Sequence, residues 1–64
     1  MHKSGAELRE ARELVGLTQE RVADAMGLSR VTIVAWEQRA VVKAPKAERY
    51  LRVVRELASA QTAA

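Results

Sequence analysis

The sequence of 64 residues contains no cysteine, so neither a disulfide nor a thiolate metal site can stabilise the fold. It has no apolar run approaching the roughly 18 residues of a membrane span, and no signal-peptide core at its N-terminus. These absences lead us to expect a soluble, cytoplasmic protein. A chain of this length allows a single domain, residues 1–64, with a net stability of roughly 3–5 kcal/mol.

Residues that could carry catalysis or hold a cofactor are scarce. The single histidine, His2, is terminal, and the sequence has no Gly-rich phosphate loop. Glu7, Glu10 and Glu13 recur every three residues in a stretch that also carries arginines, which is typical of a solvated helix face. We therefore expect no enzymatic activity, no metal and no cofactor.

Charge is present, but it is unevenly distributed along the chain. The formal net charge is +3. Residues 1–27 hold four basic and five acidic side chains, whereas residues 28–55 hold seven basic and two acidic ones. A positive half on a small domain suits a polyanion such as DNA. A solvated surface with ordinary arginine usage explains the same charge equally well.

Apolar periodicity and capping residues predict four helices joined by short turns. The expected ranges are about 5–15, 19–26, 30–38 and 45–60. A capping box from Ser4 to Glu7 opens the first helix. Thr18 and Ser29 are the expected N-caps of the second and third helices.

Residues 18–38 satisfy the physical requirements of a helix-turn-helix. Ala23 is small enough for two helices to cross closely, and Gly27 can take the positive φ that the turn needs. Leu28 and Ile33 are positioned to fill the angle between the helices. The exposed side of the third helix could then enter a DNA major groove, which is about 12 Å wide.

One longer pattern includes this unit. It consists of Arg12, Gly16, Leu17, Thr18, Gln19, Ala23, Gly27, Leu28, Ser29, Ile33, Trp36 and Glu37. In this pattern the sequence resembles the phage repressor and Cro family, the Xre-type helix-turn-helix regulators. The resemblance is clear over residues 5–38, just over half of the chain. It implies a compact all-α domain of four helices, or of the five that are common in the family, that binds double-stranded DNA.

The resemblance also implies roles for particular side chains. Gln19 would lie beside a phosphate at the start of the second helix, and Arg30 could bind guanine O6 and N7. Apolar side chains on the third helix could pack on thymine methyls or simply allow close approach. The complete set of candidate DNA contacts is Thr18, Gln19, Ser29, Arg30, Val31, Thr32, Val34, Ala35, Arg39 and Lys43.

Outside the DNA contacts, the family pattern implies an ion pair between Arg12 and Glu37 that joins the first helix to the end of the third. Family members usually place a proline about six residues after this glutamate, whereas Pro45 lies eight residues after Glu37. The loop 39–44 is therefore longer than usual. Val41 and Val42 could form a short extended piece within it.

The apolar face of the fourth helix is wider than three short helices are expected to cover. We therefore expect a homodimer that forms through this helix and the preceding loop. Its interface residues would be Tyr50, Val53, Val54 and Leu57, with the Tyr50 hydroxyl at the rim. Two third helices would then enter successive major grooves, roughly 34 Å apart.

The sequence thus predicts a prokaryotic or phage transcriptional repressor that binds a palindromic operator as a homodimer. The alternative is an antitoxin-like or regulatory module that uses the same fold to bind a protein, such as a toxin or a regulator. The apolar side chains on the third helix permit this reading. A nonspecific DNA-coating protein is a third possibility, but a net charge of only +3 argues against it.

Overall fold

Four helices, joined by two turns and one loop, make up the fold, and the computed structural model describes residues 2–63. The helices are α1 (Gly5–Leu14), α2 (Gln19–Met26), α3 (Arg30–Glu37) and α4 (Ala44–Ala63). Between residues 2 and 63 there is no strand, only an isolated antiparallel bridge between Lys3 and Val42. The predicted all-α, four-helix architecture is confirmed.

Local side-chain signals determine where the first three helices begin. The Ser4 hydroxyl accepts from the backbone N–H of Glu7, and the Glu7 carboxylate accepts from the N–H of Ser4, so the capping box is complete. The hydroxyls of Thr18 and Ser29 each accept from the N–H three residues further on, as N-caps do. Gly16, which follows α1, has a left-handed φ of 73°.

Helix α4 is longer than the sequence predicts, because it begins one residue before Pro45 and continues to Ala63. Its additional turns are held from outside and from within. The side-chain amide of Gln61 donates to the carbonyl of Val15 at 3.2 Å, which ties the last turns to the end of α1. The Thr62 hydroxyl donates to a carbonyl one turn earlier.

The core lies where the inner sides of the four helices meet, and every helix contributes to it. Its buried apolar residues are Leu8, Leu17, Val22, Ala23, Met26, Ile33, Trp36, Val42, Ala47, Tyr50, Val53 and Val54. Two of these come from outside the helices: Leu17 from the turn between α1 and α2, and Val42 from loop 39–44. Turn and loop residues therefore cover apolar surface that helices alone would leave open.

The inner side of α4 corrects two expectations. Tyr50, Val53 and Val54, assigned to a dimer interface, are 0%, 9% and 5% exposed within the single chain, and Leu57 is half-buried. The premise of an uncovered surplus on α4 is wrong, because these side chains are covered within the single chain and the exposed large apolar residues among those described, Leu14, Val15, Val31 and Val41, all lie outside α4. The Tyr50 hydroxyl does not lie at a rim either, since it donates a buried hydrogen bond to Glu37.

The segment of residues 2–5 is attached to loop 39–44. Lys3 and Val42 exchange two backbone hydrogen bonds, of 3.1 and 2.6 Å, so the predicted extended piece exists at Val42. The N–H of Gly5 donates to the carbonyl of Arg39 at 2.8 Å. The N–H of Ala44, at the start of α4, donates to Nδ1 of His2 at 3.0 Å. This attachment determines how the chain leaves α3 and enters α4.

None of the helices within residues 2–63 has the length and apolar character needed to cross a membrane.

Candidate nucleic-acid interface

The outward face of α3 consists of residues that recur at helical spacing. Arg30, Val31 and Ala35 are exposed, Val34 is half-buried, and Gln38 continues the same face just beyond the helix. Ile33, Trp36 and Glu37 face inward and are buried. Since the inward residues fix the helix to the core, the outward residues are presented on a rigid support.

The angle between α2 and α3 depends on small residues and a left-handed turn. Ala23 is 1% exposed and lies where the helices pack, and its carbonyl accepts from the N–H of Leu28 at 2.9 Å. Gly27 has a φ of 69°, which allows α3 to start after only two intervening residues. The Arg49 guanidinium donates to the carbonyl of Met26 at 2.9 Å and so caps the end of α2 from α4. The turn is therefore held on both sides.

A buried hydrogen-bond network links all four helices. The Glu37 carboxylate of α3 accepts from Nε of Arg12 at 2.8 Å and from Nη2 at 3.0 Å, which is the predicted ion pair between α1 and α3. It also accepts from the Gln19 amide of α2 at 3.1 Å and from the Tyr50 hydroxyl of α4. Nη1 of Arg12 donates to the carbonyl of Leu17 at 2.8 Å. Each helix supplies one side chain.

These contacts shift the pKa values of Arg12, Glu37 and Tyr50. Burial alone would raise the pKa of Glu37, but hydrogen bonds from Arg12, Tyr50 and Gln19 outweigh it and hold that pKa below its usual value. The pKa of Tyr50 is raised, first by burial and then by its hydrogen bond to the carboxylate. The hydrogen bond to Glu37 raises the pKa of Arg12. The carboxylate is therefore ionised and the phenol neutral at neutral pH.

An open groove of about 560 Å³ runs beside α3, between α1 and the start of α2. It brings together four of the predicted contacts: Thr18, Gln19, Arg30 and Val34. The Arg30 guanidinium makes no hydrogen bond or ion pair within residues 2–63. Gln19 is partly committed to the interior, because one of its N–H groups donates to Glu37. Arg30 is thus the freest cation at this groove.

The remaining candidates lie at the two ends of α3. Ser29 is the N-cap of α3, and Thr32 lies in its first turn. Their hydroxyls are 3.1 Å apart and form a hydrogen bond with each other. Arg39 and Lys43 lie in the loop after the helix, are exposed, and have no side-chain partner within residues 2–63. The structure therefore leaves the two loop cations available to a phosphate and the two hydroxyls engaged locally.

Four polar or charged residues that line the groove were not among the predicted site residues: Arg9, Glu13, Glu20 and Gln38. Gln38 lines it and lies eight residues after Arg30 and four after Val34. That spacing on one helix face was a usable signal. Arg9 also lines the groove, where its Nε lies 3.3 Å from the Glu13 carboxylate. Its i, i+4 pairing with Glu13 was visible in the sequence, but its position beside α3 was not.

Comparison with known proteins gives a match over most of the chain. A family model described as "Helix-turn-helix" matches residues 8–59, from α1 into the second half of α4. No curated protein and no solved structure gives a significant match.

Proposed function

Because this chain belongs to the Xre-type helix-turn-helix family, we propose that it regulates transcription by placing α3 in the major groove of a specific DNA site. The observation that carries the proposal is the outward face of α3, where Arg30 and Val31 are exposed at the start of a helix anchored by buried residues. An α-helix with its side chains is about 10–12 Å across, which matches the groove width.

Arg30 is the residue that we propose recognises a DNA base. Its guanidinium is exposed and has no partner within residues 2–63, so binding DNA breaks no existing contact. Two parallel donors of arginine fit O6 and N7 of guanine, a contact that discriminates against other bases by about 1–3 kcal/mol. The start of the recognition helix is where base contacts concentrate in this mode of binding.

Phosphate contacts would fix the register of α3 on the duplex. The start of α2, with Thr18 and Gln19, lies at the groove beside α3, and the N-terminus of a helix favours an anion. Arg39 and Lys43 supply two cations on the loop that follows α3. Thr18 and Gln19 precede α3 in the chain, and Arg39 and Lys43 follow it. This order suits one phosphate contact on each side of the major groove.

In-vitro selection on random duplex DNA, read at two salt concentrations, tests the proposal. We expect a defined site to emerge, and Arg30→Ala to reduce discrimination at one base pair by about 1–3 kcal/mol without changing the fold. If Arg30→Ala discriminates as well as the original protein, the assignment of this residue is wrong. If no sequence preference emerges at all, the proposed function is wrong.

Lys43→Ala provides the contrasting variant. Removal of a phosphate contact should weaken binding to all sequences alike and reduce the salt slope by about one unit. Arg55→Ala is the matched control, because Arg55 is also exposed but lies far along α4 from loop 39–44. An equal change in slope for both variants would mean that net charge, not the loop, determines the effect.

We further propose that two copies bind a palindromic operator, with their α3 helices roughly 34 Å apart. With the inner side of α4 buried, the contact would involve loop 39–44, where Val41 is 55% exposed. Analytical ultracentrifugation at tens of micromolar, with and without the selected DNA, should detect a dimer. Val41→Asp should weaken it and Leu14→Asp, at an exposed site on α1, should not. A monomer under both conditions would exclude the dimer.

Repression is the regulatory outcome that we propose, because occupancy of a promoter is sufficient for it, in the cytoplasm of a prokaryote or of a phage-infected cell. A protein-binding role remains the second candidate, since the exposed apolar side chain of Val31 would also suit a protein partner. The two roles separate by salt dependence. DNA binding should weaken steeply as salt increases, whereas binding to an apolar protein surface should not.

A further inference from the structure

A second open groove, of about 230 Å³, lies between α1 and α4. Its lining consists of Lys3, Glu7, Glu10, Ala11, Leu14 and Leu51. Leu14 is 79% exposed, more than any other large apolar side chain described within residues 2–63, and Ala11 and Leu51 are half-buried. Single exposed apolar side chains are ordinary on a protein surface. Here three of them line one concave surface with a polar rim, which is typical of an interaction site.

The rim of this groove is acidic. The carboxylate of Glu7 is already engaged, because it accepts from the N–H of Ser4 at 2.9 Å and lies 3.9 Å from Nζ of Lys3. Glu10 is exposed, and its carboxylate makes no hydrogen bond or ion pair within residues 2–63. Since Lys3 balances Glu7, the groove retains one uncompensated negative charge, in a protein whose formal net charge is +3.

The free acid and the exposed leucine have a fixed spacing. Glu10 and Leu14 are four residues apart on α1, so they lie on the same side of the helix and about 6 Å apart along its axis. A partner that matches both must present a cation and a large apolar side chain at the same separation. Two residues four apart on another helix do so, and a groove between helices is a recurrent docking place for an amphipathic helix.

A second copy of this chain would fit the groove poorly. In a two-fold symmetric contact the same surface of both copies meets itself. The acidic rim of one copy, with Glu7 and Glu10, would then lie against the acidic rim of the other. Like charges brought together in this way oppose association. The charge of the groove therefore favours a different protein, one with basic side chains.

We propose that this groove docks a basic amphipathic helix of another protein. An apolar side chain of that helix covers Leu14, and a Lys or Arg one turn away pairs with Glu10. Arg9 and Glu13, which line the groove beside α3, lie on the opposite side of α1 at 3.6 residues per turn. The partner helix and a DNA duplex thus occupy separate surfaces. This inference does not depend on the proposed function.

Selection from a phage-displayed library of helical peptides tests the chemistry of the partner. The library is first depleted on a double variant, Glu10→Lys with Leu14→Ser, and then selected on the original protein. Both side chains are exposed, so the variant should fold, and circular dichroism with thermal unfolding verifies this. We expect enriched peptides to carry Lys or Arg one turn from Leu, Ile or Met. No enrichment, or enrichment without the basic residue, would overturn the proposal.

Fluorescence anisotropy with an enriched peptide identifies the contacts. Leu14→Ser should weaken binding about tenfold, as expected when a leucine is no longer buried. Glu10→Gln should weaken it about two- to fivefold at low salt, as expected for an exposed ion pair. Val31→Ser, at a residue of similar exposure (77%), and Glu56→Gln, at an exposed carboxylate of α4, are the matched controls outside the groove. Both should bind the peptide as the original protein does.

The remaining outcomes separate this surface from its alternatives. A peptide that loses affinity in Val31→Ser but not in Leu14→Ser would place the site on α3 and overturn the proposal. A dimer that Leu14→Ser abolishes in analytical ultracentrifugation would assign the groove to a second copy. Displacement of the peptide by the selected duplex would contradict the separation of the two surfaces. Peptide binding that depends on Leu14 in a protein without any DNA preference would overturn the proposed function alone.

Discussion

Of the three glycines, Gly5 has the least space around it. A Cβ atom at this position would overlap the carbonyl oxygens of Trp36 and Glu37, where the start of α1 meets the end of α3. Its φ is not left-handed, so it is the close approach of two backbones, not an unusual conformation, that requires glycine. The pattern Ser-Gly-Ala-Glu predicted a helix start, but it contained no sign of this contact.

Gly5→Ala should therefore destabilise the protein, although alanine in a helix is normally better than glycine by about 0.5–1 kcal/mol. We expect a net loss of about 1–3 kcal/mol from the forced separation of α1 and α3. Urea unfolding followed by circular dichroism measures it. Gly16→Ala is the control, since no atom would clash there and only the left-handed φ is penalised. A stabilised Gly5→Ala variant would contradict the steric argument.

Residues also differ in how far the sequence could assign them. Arg12 and Glu37 were paired correctly because the family pattern fixes both partners. Tyr50 was placed at a rim, since helical spacing says only that it lies on an apolar face. Its hydrogen bond to Glu37 depends on how α4 packs against α3, which no local pattern contains. The Gln19 contact with the same carboxylate was missed for the same reason.

At the scale of elements, the ends of α1, α2 and α3 were predicted to within one residue, whereas the far end of α4 and the burial of its apolar face were not. Caps such as Ser29 and turn residues such as Gly27 act within a few residues, so the boundaries of α2 were predicted in full. Leu17 and Val42, which lie outside the helices, belong to the same buried core as the inner residues of α4. Because only helices were considered as partners for apolar side chains, part of the apolar face of α4 was wrongly expected to be exposed.

Hydrogen bonds hold the segment of residues 2–5 against loop 39–44. His2→Ala should weaken this attachment, because the N–H of Ala44 at the start of α4 would lose its acceptor. We expect a cost of about 0.5–1.5 kcal/mol, together with faster hydrogen exchange of the Ala44 amide. His2→Asn retains a side-chain acceptor and should recover part of the protection. Unchanged exchange in His2→Ala would mean that this hydrogen bond does not hold the loop.

At the scale of the whole molecule, the network around Glu37 should determine how stability depends on pH. The pKa of Glu37 is lower in the folded state, so its contribution is complete above the usual value of 4.5 and is lost as the pH falls through the lowered pKa. The pKa of Tyr50 is raised, so its contribution is complete below the usual value of 10.0 and is lost as the pH rises beyond it. Stability should therefore fall on both sides of a broad plateau.

Urea unfolding over a series of pH values tests both the acid limb and the alkaline limb, the ranges below and above the plateau in which stability falls. Tyr50→Phe should flatten the alkaline limb, and Glu37→Gln should flatten the acid limb while it lowers stability on the plateau. Some acid dependence should remain in Glu37→Gln, because hydrogen bonds from the backbone and side chain of Ser4 also lower the pKa of Glu7. An acid limb that is unchanged in Glu37→Gln would show that the buried carboxylate is not its source.

The hydrogen bonds between residues 2–5 and loop 39–44 also determine where anything can be attached to the molecule. A label joined on the N-terminal side of this segment would lie next to Arg39 and Lys43, where it would compete with the phosphates of a bound duplex. Helix α4 leaves the same loop and carries the chain about 30 Å away over its 20 residues. A fluorophore or a fused domain placed beyond α4 would therefore be held away from loop 39–44 and its two cations, so the far end of this helix is the better position for a reporter.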